Sequence, residues 1–169
     1  MKVSIITATY NRADTIERAI RSIKDQTYQD VEMVIVDGAS CDNTLEIVFE
    51  LTAAKDKVLS EKDDGIYDAL NKGLANASGH IIGFLHSDDL YADKNVLTFI
   101  TDVFLDEKVD IVYGDVTFFS KRTPEKIIRR YKSDLLNLSN LAWGKMPAHP
   151  AIFCRREVFK SLGGFKLDY

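Results

Sequence analysis

Short, wholly apolar runs alternate with amphipathic stretches along the first two thirds of the chain. The run from Val3 to Ala8 has no polar alternation, as expected of a central strand of a parallel sheet buried on both faces. After a polar turn, Thr9-Tyr10-Asn11-Arg12, the residues Ile16, Ala19, Ile20 and Ile23 recur at helical spacing. Val31 to Val36 reads as a second strand ending at Asp37-Gly38. Ser40 or Asp42 can cap the helix that follows, whose apolar positions are Leu45, Val48, Phe49 and Leu51. Lys57 to Ser60 is a brief third strand, followed by the charged loop Glu61-Lys62-Asp63-Asp64-Gly65. A helix from Ile66 to Ala77 carries Ile66, Ala69, Leu70, Gly73, Leu74 and Ala77 on one face and stops at Ser78-Gly79. His80 to Leu85 is the fourth strand and leads to Asp88-Asp89. Asp93 to Leu105 reads as a helix with Val96, Phe99, Ile100 and Val103 inward, and Val109 to Tyr113 as a further strand.

This cadence predicts an α/β fold, a Rossmann-like, mostly parallel sheet flanked by helices. The pattern changes after Tyr113. Asp115 to Ser120 and Lys126 to Arg130 read as strands around a turn at Pro124, and a short helix or loop spans Ser133 to Leu141. Trp143-Gly144-Lys145-Met146-Pro147 is either a lid or a packed loop. His149-Pro150 precedes a strand at Ala151 to Cys154, and Glu157 to Leu162 is a helical turn closed by Gly163-Gly164. The whole reads as a single domain over residues 1–169, with a small C-terminal α+β extension covering the open edge of the sheet.

Ligands of such sheets bind beyond the carboxyl ends of the strands. Four polar clusters fall there: Thr9-Tyr10-Asn11, Asp37-Gly38, Asp63-Asp64 and Asp88-Asp89. Adjacent carboxylates repel, so Asp88 and Asp89 suit a place where a divalent cation binds; the alternative is a solvated start to the next helix. A nucleotide at this rim would be held by stacking on Tyr10, by hydrogen bonds from Thr9 and Asp37, and by a metal bridging phosphates to Asp89. No Gly-x-Gly-x-x-Gly, Gly-Lys-Ser/Thr or Gly-x-Ser-x-Gly segment is present, which removes the usual dinucleotide, P-loop and serine-hydrolase readings.

Composition narrows this only a little. The chain is 46% hydrophobic and 28% charged with a formal charge of −4, which argues against nonspecific nucleic-acid binding. One basic cluster, Lys121, Arg122, Lys126, Arg129, Arg130 and Lys132, is either an anion-binding patch or a solvated face. Cys41 and Cys154 form no metal or disulfide motif, Cys154 sits in an apolar run, and cytosolic chemistry fits. The first residues contain no signal-peptide apolar region and no run reaches membrane-spanning length; association with a membrane surface is left open.

The residues resemble a known family in order and spacing over essentially the whole chain. The matching segments are Val3 to Arg12, Ile35 to Ser40, Asp64 to Gly73, Ser87-Asp88-Asp89, Tyr113-Gly114-Asp115 and His149 to Phe165. Together they resemble family 2 glycosyltransferases of the GT-A fold, in particular bacterial enzymes that build O-antigen, capsule and colanic-acid polysaccharides. The resemblance implies an inverting transferase moving a sugar from a nucleotide sugar, a UDP-sugar above all, to a glycan or a lipid-diphosphate-linked acceptor. It implies Mg²⁺ or Mn²⁺ as cofactor, no nucleic-acid partner, and a cytoplasmic location at the inner face of the cell membrane. It divides the domain into a nucleotide-binding part, about residues 1–114, and an acceptor-side part, about 115–169.

By the same resemblance the first strand end (Thr7, Thr9, Tyr10) and the Asp37 turn hold the nucleobase, and Asp64 lies near base or ribose. Asp88 faces the ribose or donor sugar, and Asp89 is the main metal ligand. Ser87 stands where the family's Asp-x-Asp element has its first acid. His149 approaches the diphosphate or metal, or is a structural histidine before Pro150. Lys72 is a phosphate neighbour or a solvated helix-surface lysine. The family's base is an acid shortly after the Gly-Gly-Phe turn, here Gly163-Gly164-Phe165. Asp168 falls a little early for it, so the expectation is an incomplete domain whose base follows Tyr169. Asp115 is a weaker candidate. Two other classes stay open: a nucleotidyltransferase-like enzyme, and a non-catalytic nucleotide-sugar-binding fragment.

Overall fold

A computed structural model of the chain describes residues 1–120, 127–133, 139, 143–144 and 146–167. Eight strands are present among them: β1 (Val3–Thr9), β2 (Val31–Asp37), β3 (Lys57–Ser60), β4 (Ile81–Phe84), β5 (Ile111–Tyr113), β6 (Val116–Phe119), β7 (Ile127–Tyr131) and β8 (Ile152–Arg155). The helices are α1 (Ile16–Lys24), α2 (Thr44–Leu51), α3 (Ile66–Asn76), α4 (Val96–Val103) and α5 (Arg156–Leu162), with one 3₁₀ turn at His149–Ala151.

Six strands form one sheet in the order β3-β2-β1-β4-β8-β5, and β6 pairs with β7 in a separate ribbon. The pairs β1–β2, β1–β4 and β2–β3 are parallel, whereas β8 runs antiparallel to both β4 and β5. The expected α/β architecture with a mostly parallel sheet is therefore present. The C-terminal extension does not merely cover the sheet's open edge: β8 inserts inside the sheet, and β5 forms the edge.

The apolar runs are strands because both faces of the sheet are covered. Val3, Ile5, Met33 and Ile35 pack with Ile16, Ile20, Val48, Leu97 and Phe104 on one side. Ile6, Val34, Ile82 and Phe84 pack with Leu70, Leu74, Phe159 and Phe165 on the other. Two close approaches need glycine. A Cβ at Gly73 would overlap Cγ2 of Ile6, so α3 sits tight on β1, and a Cβ at Gly83 would lie 2.5 Å from Cε1 of Phe153.

Several helical faces differ from the pattern-based expectation. The fourth helix is shorter than 93–105, and its buried positions are Leu97, Ile100 and Thr101, followed by the buried Phe104, while Phe99 is 68% exposed. The backbone of Leu97 donates to Oε1 of buried Gln26 at 3.0 Å, and Gln26 Nε2 donates to the Asp93 carbonyl, which fixes the rotation of this helix. Phe49 and Ile66 are also exposed. The Pro124 turn, most of the stretch expected as helix or loop over 133–141, and Asp168 lie outside the described residues.

Candidate active site

The strand ends meet along one rim. Thr9 lies opposite Asp37, and Asp37 opposite Ser60, so the carboxyl ends of β1, β2 and β3 stand abreast. Asp37 is fully buried. Its Oδ2 accepts from Ser40 N at 2.9 Å and from Ser60 Oγ at 2.8 Å, and its Oδ1 accepts from Ser40 Oγ. The turn that brings Ser40 back needs a left-handed backbone at Ala39 (φ 63°), a conformation costing a non-glycine residue about 1 kcal/mol. Those hydrogen bonds offset it.

The same turn is stitched to the loop after β1. Asn11, also left-handed at φ 50°, donates its N–H to Ser40 Oγ at 2.8 Å and accepts from Cys41 N through Oδ1 at 2.9 Å. Arg12 N donates to Thr44 Oγ1 at 2.8 Å, and Gly38 N to the Thr9 carbonyl at 2.9 Å. Tyr10 thus projects, 56% exposed, from a doubly anchored turn.

A cavity of about 310 Å³ opens at this rim, lined by Ala8, Thr9, Tyr10, Arg12, Asp63, Ile66, Ala69, His86, Ser87 and Asp88. Thr9 Oγ1 is buried without a hydrogen-bond partner among the described residues, an arrangement that a ligand's polar edge would relieve. A second hollow of about 220 Å³, beside Lys24, Gln26, Tyr28, Val31 and Asp56, contains none of the rim residues.

The structure gathers some expected residues and leaves others aside. Thr9, Tyr10 and Asp88 line the cavity; Thr7, Asp37, Asp64, Lys72, Asp89 and His149 do not. Thr7 is buried two residues deeper, its hydroxyl also without a hydrogen-bond partner among the described residues. Of the two acids in the β3–α3 loop it is Asp63 that faces the cavity. Its approach depends on Gly38, where a Cβ would stand 2.7 Å from Asp63 Oδ2. Asp64 is exposed, and its N–H donates to Asp68 Oδ2 at 3.1 Å. Lys72 is held by Glu61 (3.0 Å), Asp68 (3.1 Å) and the Lys62 carbonyl (3.0 Å) and clamps that loop to α3. Arg12 and His86 are lining residues that the pattern did not single out, although Arg12 closes the polar turn after β1 and His86 precedes Ser87.

Asp88 is exposed and Asp89 half-buried. Burial pushes the Asp89 carboxyl above the usual range, against the pull of His86 and with a further push from Asp88. Late in the chain, β8 and the 3₁₀ turn bring His149 to this place. Its ring centroid lies 5.5 Å from His86, 4.8 Å from Phe84 and 5.6 Å from Phe165. Burial, and then the charge of His86, hold His149 down at about 4, and burial lowers His86 as well. Both shifts favour the neutral imidazole. Nδ1 of His86 and Nε2 of His149 are buried without hydrogen-bond partners among the described residues.

No ready-made group of three or more metal-ligating side chains exists among the described residues. A hard cation such as Mg²⁺ needs only one or two carboxylates when substrate phosphates and waters complete its shell. Asp88 and Asp89 supply that many carboxylates, and His149, whose ring lies against His86, brings a buried nitrogen with no partner among the described residues. The Gly163-Gly164-Phe165 turn is pinned beside the site: Asn71 Nδ2 donates to the Phe165 carbonyl at 2.9 Å, and Phe165 N donates to Asn71 Oδ1 at 2.8 Å. Asp115 accepts from Ser133 N and Oγ at 2.9 and 2.8 Å, and those bonds pull its carboxyl below the usual range, which makes it a poor base.

Comparison with known proteins bears on this rim. The family described as Glycosyl transferase family 2 matches residues 4–163. A PGL/p-HBAD biosynthesis glycosyltransferase of Mycobacterium bovis is 34% identical over 98% of the chain, and an uncharacterized glycosyltransferase of Nostoc is 32% identical over 99%. The chain spans 64% and 54% of those two relatives. Among solved structures, the mannosyltransferase PcManGT of Pyrobaculum calidifontis, in complex with GDP-Man and Mn²⁺, superposes with a TM-score of 0.74 at 25% identity, covering 99% of this chain and 48% of that one. TarS of S. aureus (residues 1–349), in complex with UDP-GlcNAc, superposes with a TM-score of 0.79 at 22% identity, covering 98% and 49%, and shares the fold.

Proposed function

We propose that this chain, which belongs to glycosyl transferase family 2, is the donor-binding and catalytic part of an inverting glycosyltransferase that uses a nucleotide sugar, most simply a UDP-sugar. The observation that carries the reading is the single cavity that collects Thr9, Tyr10, Arg12, Asp63 and Asp88 beyond the strand ends, with Asp89 and His149 beside it. Tyr10 stacks on the base, and the free Thr9 hydroxyl and Asp63 take polar edges of base and ribose. Asp37, saturated from within, holds the platform rather than the ligand. Arg12 offers positive charge to the diphosphate. A divalent cation held by Asp89 and Asp88, with His149 near, would neutralise the departing diphosphate. The solved complexes of PcManGT with GDP-Man and Mn²⁺ and of TarS with UDP-GlcNAc support this class of donor.

In the transfer an acceptor hydroxyl forms the new bond to the anomeric carbon. The bond to the diphosphate oxygen breaks, and the nucleoside diphosphate leaves with the electron pair. The hydroxyl proton passes to a carboxylate that follows the Gly163-Gly164-Phe165 turn, Asp168 or an acid further along a longer protein. The acceptor proposed is a glycan or lipid-diphosphate-linked sugar of a bacterial surface polysaccharide. The test is a screen of UDP- and GDP-sugars with the full-length gene product and a lipid-diphosphate acceptor, read by mass spectrometry. Transfer with release of nucleoside diphosphate is expected. Synthesis of a nucleotide sugar from sugar phosphate and UTP would make it a nucleotidyltransferase, and donor binding without turnover would make it a binding module.

A further inference from the structure

Residues 61–68, the β3–α3 loop and the first turn of α3, carry four acids, Glu61, Asp63, Asp64 and Asp68, against the single base Lys62. Like charges at that density favour an open loop over a folded one. One side chain from the next turn of the helix ties it down. An ammonium has three protons to donate. Those of Lys72 meet three acceptors: Glu61 Oε1 at 3.0 Å, Asp68 Oδ2 at 3.1 Å and the Lys62 carbonyl at 3.0 Å. Asp68 Oδ2 also accepts from Asp64 N at 3.1 Å. Lys72 therefore grips the chain on both sides of Asp63, at 61–62 directly and at 64 through Asp68. Within that grip Asp63 Oδ1 accepts from Gly65 N at 3.0 Å, and Asp63 Oδ2 lies against Gly38, at the cavity that Tyr10 also lines. Lys72 itself is not among the lining residues.

We infer that Lys72 is a positioning residue for the nucleoside: it holds Asp63 where base and ribose meet it, and it gives no proton to the diphosphate. All three of its protons are taken, so a phosphate contact would have to break the clamp. Exposed ion pairs of this kind contribute little to global stability. They act instead on a local equilibrium between a closed loop and an open one. A ligand that needs the closed loop binds with an apparent affinity reduced by the closed fraction. Removing two exposed pairs and one charged hydrogen bond shifts that equilibrium by on the order of tenfold, and the affinity falls by up to the same factor. The inference rests on the donor-site reading and adds to it what keeps Asp63 in place before the ligand arrives.

The test compares wild type, K72M, D63A and K72M/D63A. In the ligand-free chain, hydrogen exchange at the Asp64 amide should speed up about tenfold in K72M, while amides within β1 keep their wild-type rates and so report an intact fold. UDP is then titrated by calorimetry and uridine by NMR. K72M should weaken both by the same factor, about 3- to 10-fold. D63A should weaken both at least as much, and the double variant should bind no worse than D63A alone, because Lys72 acts through Asp63. A loss for UDP with uridine unaffected would make Lys72 a phosphate ligand and overturn the inference. So would losses from K72M and D63A that add, an Asp64 amide that exchanges at the wild-type rate in K72M, or a K72M affinity equal to wild type when D63A is weakened. A wild type that binds neither UDP nor uridine, or a D63A variant that binds both like wild type, would instead overturn the donor-site role of Asp63, and the positioning role with it.

Discussion

Glu32 offers a sharp test of how the core is held. It lies on β2 opposite Ser4 and is 1% exposed. Its Oε1 accepts from Ser4 Oγ at 2.5 Å, Ser78 N at 2.6 Å and Gly79 N at 3.2 Å. Its Oε2 accepts from Ser78 Oγ at 2.7 Å and pairs with Lys2 Nζ at 2.5 Å. This carboxylate ties the start of β1 and β2 to the loop after α3, at the end of the sheet away from the rim. Burial by itself would raise its pKa. The Lys2 ammonium and the donors from Ser4 and Ser78 overcome that and lower it from 4.5 to about 2. At 1.36 kcal/mol per unit, the shift corresponds to at most about 3 kcal/mol of stability.

The sign follows from the depressed value. The contribution is fully present above the unfolded pKa near 4.5 and is lost as pH falls from there toward about 2. Glu32→Gln keeps one acceptor oxygen but turns an amide donor toward Lys2, leaving the ammonium without its partner. We predict a loss of about 3 kcal/mol at pH 7 in urea unfolding, in line with breaking a buried pair. The gap between wild type and variant should narrow steadily as pH falls from about 4.5 toward about 2, while UDP affinity of the folded variant at pH 7 stays unchanged. Stability curves for the two proteins that stay parallel from pH 7 down to about 2, the folded-state value, or a variant as stable as wild type at pH 7, would refute the reasoning.

Two further outcomes are expected. Tyr10→Ala should weaken UDP binding roughly 5- to 150-fold, the range of an aromatic–base stack, without changing the unfolding midpoint; an unchanged affinity in calorimetry would remove Tyr10 from the base site. Gly73→Ala should destabilise the fold by about 1–3 kcal/mol despite alanine's better helix propensity, because the new methyl meets Cγ2 of Ile6 on a rigid strand. Urea unfolding of this variant checks it, and stabilisation would contradict the tight α3–β1 packing.

The sheet and its polar rim were legible because their carriers are simple. Val3 to Ala8 and Val31 to Val36 are apolar without interruption, so their strand character and the polar clusters at their ends follow from burial on both faces. What was not legible depends on contacts distant in sequence. Nothing local to Ile152-Phe153-Cys154 says that it enters the sheet between β4 and β5, where Phe153 fills the space left by Gly83. Around α4 the apolar residues Val96, Leu97, Phe99, Ile100, Val103 and Phe104 spread over an arc of about 160°, wider than the stripe that is buried, so periodicity does not fix which edge of the arc turns inward; Gln26 does. Asp63 and Asp64 are indistinguishable in sequence, and the backbone turn at Gly65 (φ 113°) and the missing Cβ of Gly38 go with Asp63 in the cavity. The sequence puts Asp37 at the strand end, but its saturation by Ser40 and Ser60, which turns it inward, is a tertiary fact.

The central claim is that Asp88 and Asp89 hold a divalent cation for a nucleotide bound at the rim. Titration calorimetry of UDP into the chain, with and without Mn²⁺, tests it most directly when repeated with Asp89→Ala. The account predicts that Mn²⁺ tightens UDP binding at least tenfold in wild type, the scale of losing a ligand or its support in a metal site, and that Asp89→Ala abolishes this gain while leaving the metal-free affinity intact. UDP binding that is indifferent to Mn²⁺, or a Mn²⁺ effect that survives in Asp89→Ala, would contradict it.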